Sequence, residues 1–261
     1  MNKNFEELLS QFKTIARKRW IKGISNGHGN IGLTFENELG KKIDTKYTPD
    51  YKNIELKCTT RFSRFPISLF SIAFDGPTNN EIIRLNETYG SYDSDFTDKK
   101  TLIRKIRVDE LSLLNYNYHL SLSVENNKLY LCVYDFKKRL IEKEAFVYLD
   151  TIKKHLLTKL NYLAIIKASK IKNKNTEYFR YYELSFYTLK NYDTFINLLK
   201  EGLIEISLIS RISKSGETAG KYHNKNLVFQ IKKDNIEKLF KKTYYYNHDN
   251  SNNYINELQF L

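Results

Sequence analysis

A run of five residues that begins at Ile54 alternates apolar and polar side chains, and this pattern constrains the fold more than any other feature of the chain. A period of two predicts a half-buried β-strand. The apolar side chains of Ile54, Leu56 and Cys58 would face a core. Glu55 and Lys57 would then point together to the opposite face. The strand would therefore carry a carboxylate and an amine side by side.

A second carboxylate precedes this strand at Asp50, directly after Pro49. The fixed φ of proline suits a turn or the first residue of a strand, so the Asp50 side chain can return toward Glu55 across a short connection. Mg²⁺ prefers oxygen ligands and keeps several waters, so two carboxylates and a phosphate oxygen of a substrate suffice to hold it. An amine beside the metal can orient the attacking water and offset charge on the phosphorus. These side chains suit metal-assisted hydrolysis of a phosphodiester.

The acid-x-Lys pattern alone is a weak signal in a lysine-rich chain, because four other segments match it. They are Asp44-Thr45-Lys46, Asp50-Tyr51-Lys52, Asp98-Lys99-Lys100 and Asp135-Phe136-Lys137. Glu55-Leu56-Lys57 has the fuller context, since a Pro-Asp pair precedes it at short spacing. On the residues alone, a solvent-facing pair on an edge strand, worth little energy, is an equally good interpretation.

Two segments together resemble a known nuclease family. Pro49-Asp50 with Glu55-x-Lys57 resembles the PD-(D/E)XK nuclease signature, and Gly29-Asn30-Ile31-Gly32-Leu33-Thr34-Phe35-Glu36 resembles the glycine-containing turn and helix of the MvaI/BcnI family of type II restriction endonucleases. The mismatch-repair nicking enzyme MutH is a more distant relative of that group. The resemblance implies that Glu36, Asp50, Glu55 and Lys57 are the catalytic residues. It further implies that Asp50, Glu55 and Glu36 hold Mg²⁺, for which Mn²⁺ can substitute.

The same resemblance implies an α/β (α+β) fold, with a restriction-endonuclease-like mixed sheet, flanking helices and two lobes on either side of a DNA cleft. Residues 1–261 would form a single two-lobed endonuclease, with the catalytic motifs within about 1–110 and a DNA-recognition hairpin within about 190–240. The implied reaction leaves 5′-phosphate and 3′-hydroxyl ends. The implied enzyme is a monomer that nicks each strand of double-stranded DNA in turn, with a cognate DNA methyltransferase in the same system.

Eight side chains are candidates for contact with DNA. Arg61-Phe62-Ser63-Arg64-Phe65 interleaves cations and aromatic rings, a pattern that can grip nucleic acid backbone, although a strand end with two exposed arginines fits it equally well. A strand from Ile204 to Ile212, a basic loop to Asn226 and a returning strand predict a long hairpin that can read base edges, or else a solvated basic loop. The candidates are Arg61, Arg64, Arg211, Lys214, Lys221, His223, Lys225 and Gln230. Gln230 stands where the family pattern leads us to expect an arginine, which leaves the target sequence open.

Helical spacing and alternation predict further elements. An amphipathic helix is expected from about Phe5 to Trp20. Later elements are strands 118–124 and 128–134 joined as a hairpin, a helix 150–160, strands 162–167 and 178–186, and a helix 192–202 that ends at Gly202. The polar segment 77–101 is interpreted as a long loop or short helix along the cleft.

The charge balance, 43 Lys and Arg against 30 Asp and Glu, gives a net charge of +13 and suits a polyanionic partner. RNA-binding and ribosomal proteins share such a balance. Cys58 and Cys132 lie in apolar strand-like runs, and the start of the chain lacks a signal-peptide pattern. The longest apolar stretch is too short to span a bilayer. These features predict reduced thiols in a cytoplasmic protein without a membrane partner.

Two other functions fit the same residues. A MutH-like enzyme would nick one strand under the control of a repair partner. A catalytically inactive basic DNA- or RNA-binding protein would show steep salt dependence of binding and no metal-dependent turnover.

Overall fold

The computed structural model describes residues 3–25, 27, 29–41 and 48–248. The chain divides into two compact units. Unit 1 comprises Met1–Phe65, Thr158–Lys190 and Phe240–Leu261, and unit 2 comprises Pro66–Leu157 and Asn191–Leu239. The mixed α and β architecture with flanking helices that the sequence predicts is confirmed.

The bounds of the elements are as follows. The helices are α1 Lys3–Arg17, α2 Asn30–Glu38, α3 Glu81–Tyr89, α4 Leu149–Leu160, α5 Tyr192–Lys200 and α6 Ile236–Leu239, with a 3₁₀ turn at Lys233–Asn235. The strands are β1 Ile21–Lys22, β2 Ile54–Thr60, β3 Ile67–Ile72, β4 Ser91–Tyr92, β5 Lys100–Ile106, β6 Ser112–Leu113, β7 Tyr118–Glu125, β8 Lys128–Asp135, β9 Leu140–Glu142, β10 Phe146–Tyr148, β11 Tyr162–Asn173, β12 Thr176–Leu189, β13 Ile204–Ile212, β14 Tyr222–Ile231 and β15 Phe240–Asn247.

The sheet of unit 1 has the strand order β1-β12-β11-β2, and β15 also pairs with β12. β2 runs parallel to β11, with Glu55 opposite Leu163, whereas the other pairs are antiparallel. Helix α1 covers this sheet because its apolar residues recur at helical spacing, and the Phe5 ring lies 4.0 Å from that of Phe186. The predicted first helix is therefore confirmed, and it ends at Arg17 because the chain reverses at Arg19, whose φ is 58°.

Helix α2 is fixed at both ends of its buried face. Phe35 is buried beside Tyr181, whose hydroxyl donates a hydrogen bond to the Ile31 carbonyl at 2.7 Å. At the first turn, Asn30 Nδ2 donates to Glu177 at 2.8 Å. A Cβ at Gly23 would lie 2.4 Å from that amide nitrogen, so a residue larger than glycine would push Asn30 away. These contacts hold α2 in place and therefore set the position of Glu36, which directly follows Phe35.

Unit 2 contains two sheets, with the orders β10-β8-β7-β6 and β3-β14-β13-β5-β4, and β9 pairs with β8. The predicted β7–β8 hairpin is confirmed, and both central residues, Asn126 and Asn127, have positive φ as a tight hairpin turn requires. Segment 77–101 is more regular than its polar composition predicts, since it contains α3, β4 and the start of β5.

The β13–β14 hairpin has a shorter loop than the sequence predicts. β14 already begins at Tyr222, and the pairing shifts between Ile209, opposite Asn226, and Ser210, opposite Asn224. Lys225 is thus the extra residue of a β-bulge. The bulge and the positive φ of Asn226 interrupt the alternation of apolar and polar side chains. The sequence therefore predicted a loop for this stretch.

Two expectations about the whole chain concern its thiols and its apolar segments. Both cysteines are free thiols, and Cys132 is buried while Cys58 is partly buried. Across the described residues, none of the helices is both long and apolar enough to cross a membrane. His28, in the glycine-containing turn, lies outside the described residues.

Candidate active site

The turn before β2 returns the Asp50 carboxylate to the strand. Tyr51 and Ile54 exchange two backbone hydrogen bonds, of 2.9 and 2.7 Å, and Lys52 between them has a φ of 53°. Asp50 Oδ2 then accepts a hydrogen bond from the Leu56 N–H at 3.1 Å. The predicted return of Asp50 across a short connection is confirmed.

Glu55 and Lys57 form an ion pair in which the carboxylate is buried and the lysine is partly exposed. Glu55 has 0% of its surface exposed, and its Oε1 lies 2.6 Å from Lys57 Nζ. The same oxygen lies 3.3 Å from Nζ of Lys159, at the end of α4. Oε2 of Glu55 is also buried, and no donor from the described residues bonds to it. A solvent-facing edge-strand pair would keep water around the carboxylate, so that interpretation does not fit.

Burial and charge act in opposite directions on this pair. Burial raises the pKa of Glu55, the neighbouring Asp50 charge raises it further, and the lysines oppose both effects without cancelling them. For Lys57, burial favours the neutral amine, but the charges of Glu55 and Asp50 outweigh it and raise its pKa. Lys57 is therefore an ammonium at neutral pH.

Glu36 reaches the same region from α2. Nζ of Lys41, just after that helix, lies 3.3 Å from Glu36 Oε2 and 3.5 Å from Asp50 Oδ1. Burial raises the pKa of the Cys58 thiol, and the charges of Glu36 and Asp50 both add to that rise. The structure thus places all four predicted catalytic residues in one region of unit 1.

The donor atoms of this region fit a hydrated divalent cation. In the part of the chain that the structure describes, no group of three or more His, Cys, Asp and Glu side chains is arranged so that it could hold a metal ion by itself. Mg²⁺ does not need such a group, because it retains waters and takes oxygen from its substrate. The buried Oε2 of Glu55, with no described donor, is an anionic oxygen that a cation would satisfy, and Asp50 supplies a second.

Sequence reasoning missed Lys41 and Lys159. Lys159 stands in the last turn of α4, immediately before β11, and β11 is the parallel neighbour of β2. Its place beside Glu55 depends on that strand pairing, for which the sequence gives no local signal. Lys41 had a signal, since it lies three residues beyond the helix that carries Glu36.

The first two DNA-contact candidates lie directly after β2. β2 ends at Thr60, so Arg61 and Arg64 are exposed residues of a turn and do not extend the strand face of Glu55 and Lys57. The Arg61 N–H donates to the Ala168 carbonyl at 3.2 Å, which fixes where the turn begins.

The remaining candidates lie on the hairpin of unit 2. Arg211 and His223 are exposed and directly opposite each other on β13 and β14. Burial and the charges of Arg211 and Lys225 lower the pKa of His223, so its ring is neutral at neutral pH and has one donor and one acceptor. Lys225 is the exposed bulge residue, and Lys221 is exposed where the loop ends.

Two hairpin candidates already have protein partners. Lys214 forms an ion pair with Asp93 and lies 3.0 Å from Asp95 Oδ2. Gln230 Oε1 accepts a hydrogen bond from Ser207 Oγ at 3.0 Å. Contact of either side chain with DNA requires it to share or exchange these bonds.

Comparison with known proteins identifies the group to which the chain belongs. The model of the MvaI/BcnI restriction endonuclease family matches residues 9–240, which include α2, β2 and the β13–β14 hairpin. The chain belongs to the MvaI/BcnI restriction endonuclease family. The resemblance seen in the motifs is confirmed, and with it a family of site-specific DNA nucleases.

Solved structures show the same fold for this family member. The complex of restriction endonuclease MvaI with its cognate DNA substrate is similar to the chain with a TM-score of 0.87 and 21% identity, over 93% of this chain and 98% of that chain. MvaI in the absence of DNA is similar with a TM-score of 0.57 and 19% identity, over the same shares. A search of curated protein sequences gives no match.

Proposed function

We propose that this chain is a type II restriction endonuclease that cuts a specific sequence in double-stranded DNA in the presence of Mg²⁺ and leaves 5′-phosphate and 3′-hydroxyl ends. The observation that carries the proposal is the group on and before β2, in which Asp50, the buried Glu55 and Lys57 interact within a member of a restriction endonuclease family. Burying a carboxylate while no described donor bonds to one of its oxygens costs stability, and such perturbed acids concentrate at functional sites.

Each residue of the group has a role that follows from its surroundings. When bound, Mg²⁺ would supply a reactive water and positive charge at the phosphate. Asp50 and Glu55 would hold the ion, and Glu36 would support it from α2 or through a water. The Lys57 ammonium keeps its proton, so it acts as a donor and a charge that positions the nucleophile and the phosphate, and not as the base.

The substitution Lys57→Met tests this assignment because it keeps the apolar stem and removes the donor. The phosphodiester cleavage rate should fall by at least about a hundredfold, while folding and most DNA binding remain. The assay incubates purified protein with unmethylated phage DNA, with and without Mg²⁺, and sequences the product ends. Mn²⁺ in place of Mg²⁺ should also support cleavage.

A matched control is available at Lys137. Lys137 is the lysine of another acid-x-Lys pattern, but its side chain is exposed. The acid of that pattern, Asp135, pairs with Arg139. Lys137→Met should cleave like the unaltered protein. An active Lys57→Met enzyme would refute the assigned role.

The alternative functions give different products. A MutH-like enzyme would leave phage DNA unbroken and nick supercoiled plasmid when a repair protein is added. A binding-only protein would retard DNA in a salt-dependent manner and produce neither cuts nor nicks with any metal. If the proposed activity is found, the host must protect its own sites, so a cognate methyltransferase should make the same DNA resistant.

A further inference from the structure

Two phenylalanine rings stand almost fully in solvent directly beyond the catalytic strand. Phe62 is 86% exposed and Phe65 is 74% exposed, within the turn Arg61–Phe65 that follows β2. Leaving such a side chain in water forgoes the favourable free energy of its burial. Single exposed apolar residues are common, but here two exposed rings and two exposed arginines occur within the five residues of one short turn.

Hydrogen bonds within the turn fix its backbone where it leaves β2. The Ser63 N–H donates to the Thr60 carbonyl at 3.2 Å, and the Phe65 N–H donates to Ser63 Oγ at 3.4 Å. The Arg61 guanidinium lies over the Phe62 ring, 5.7 Å from its centre. The turn therefore presents a ring and a cation as one unit.

The distance of the turn from Lys57 limits which part of a bound duplex the two rings can contact. Phe62 is five residues beyond Lys57, which is at most about 17 Å along an extended strand at roughly 3.3 Å per residue. Successive base pairs of a duplex are about 3.4 Å apart. If a duplex held at the proposed active site runs along the direction of β2, it meets the turn within about five base steps of the cut phosphate.

We propose that the turn Arg61–Phe65 is a wedge that enters the base stack of the bound duplex next to the cut. Phe62 and Phe65 would insert against base faces and partly unstack one or two steps, while Arg61 and Arg64 hold the adjoining phosphates. Duplex DNA is the occupant that matches both features, because its base faces accept aromatic rings and its phosphates accept arginines. Readout by this wedge would depend on how easily a step unstacks and not on base-edge hydrogen bonds. This inference rests on the proposed function for the place of the duplex.

The test uses fluorescence of 2-aminopurine, which rises when the base is unstacked. The probe is placed at successive steps of short duplexes that span a cut site mapped in the phage digest, and Ca²⁺ replaces Mg²⁺ to prevent cleavage. The unaltered protein should raise the fluorescence at one or two adjacent steps. Phe62→Ala with Phe65→Ala should abolish that rise and weaken binding by roughly tenfold or more per ring.

Controls separate the wedge from general effects. Phe136→Ala removes another exposed ring, beside a lysine, at 61% exposure in unit 2, and it should leave both readouts unchanged. Arg61→Gln should reduce the salt dependence of binding while the fluorescence rise remains. The thermal unfolding midpoint of the double variant should match that of the unaltered protein, since the rings are exposed.

The outcomes distinguish this inference from the proposed function. DNA that is cut normally, with no fluorescence rise at any step or with unaltered binding by the double variant, would overturn the wedge and leave the nuclease intact. If the digest gives no cuts, the same probes in arbitrary duplexes still report unstacking, and its absence there would overturn the wedge as well. A change from dimer to monomer in the double variant, with DNA binding unchanged, would assign the rings to a second copy of the chain and likewise overturn it.

Discussion

At the scale of single residues, the protonation of Glu55 depends on the cations that surround it. Lys57 and Lys159 both approach Oε1, at 2.6 and 3.3 Å. Burial raises the pKa of Glu55, and Lys159 is one of the charges that hold this rise in check. Loss of Lys159 should therefore raise that pKa further and reduce the ionised fraction of Glu55 as the pH falls.

The substitution Lys159→Met should then increase the Mg²⁺ concentration needed for half-maximal cleavage. The increase should be several-fold and larger at pH 6 than at pH 8, because the ionised carboxylate is the form that binds a cation. Lys154→Met, an exposed lysine on the same helix, is the control and should leave the metal titration unchanged. Equal metal dependence of Lys159→Met and the unaltered protein at both pH values would show that Lys159 has no influence on the metal site.

The sequence predicted that Asp50, Glu55 and Lys57 lie close together, but not how deeply Glu55 is buried. Alternation from Ile54 gave the face of Glu55 and Lys57, and Pro49 gave the return of Asp50, because both are local properties of the backbone. The complete burial of Glu55 depends on β11 and the end of α4, about a hundred positions later. Contacts between residues so far apart in the sequence produce no periodic residue pattern near Glu55.

At the scale of elements, the tip of the β13–β14 hairpin is tied to the segment Asp93–Lys99. Lys214 pairs with Asp93, and Lys99 Nζ donates to the Gly220 carbonyl at 2.6 Å. Asp93 also accepts the backbone N–H groups of the residues two and three positions later, so its orientation is fixed. Lys214 thus supports the hairpin tip in addition to any contact with DNA.

The substitution Asp93→Asn should loosen the tip without touching the active site. It removes the charge that pairs with Lys214 but keeps a side-chain acceptor for the turn. Amide hydrogen exchange across 213–221 should become faster, and cleavage at sites with one altered base should rise relative to the preferred site. Asp98→Asn, on an exposed residue of the same segment, should change neither quantity. Unchanged exchange in Asp93→Asn would mean that the ion pair does not hold the tip.

The hairpin also shows where sequence patterns for elements fail. Strands β13 and β14 were predicted, but the bulge at Lys225 disrupts the alternation, so the loop was predicted five residues too long at its C-terminal side. The tie between Lys214 and Asp93 joins residues 121 positions apart and could not be predicted. Turn chemistry is local and was visible at Asn126 and Asn127, whereas contacts between elements were not.

At the scale of the whole molecule, the proposed cleavage of both DNA strands depends on how many groups like the one at β2 a single chain contains. Among the acid-x-Lys segments that the structure describes, Lys52 pairs with Glu7, Lys100 donates to the Glu87 carbonyl, and Asp135 binds Arg139. Asp44-Thr45-Lys46 lies outside the described residues. Of the acid-x-Lys segments that the structure describes, Glu55-Leu56-Lys57 is therefore the one whose lysine pairs with the acid of its own pattern.

A monomer with one such group can attack one phosphate at a time, so we expect each strand to be cut in a separate step. A supercoiled plasmid with one target site should first become nicked and then linear, with both rate constants independent of protein concentration once the DNA is saturated. Sedimentation of the protein with a target duplex in Ca²⁺ should give one chain per duplex. Linear product formed without a nicked intermediate, at a rate that rises with the square of protein concentration below saturation, would instead show that two chains assemble on the DNA and that each supplies its own Asp50, Glu55 and Lys57 to one strand.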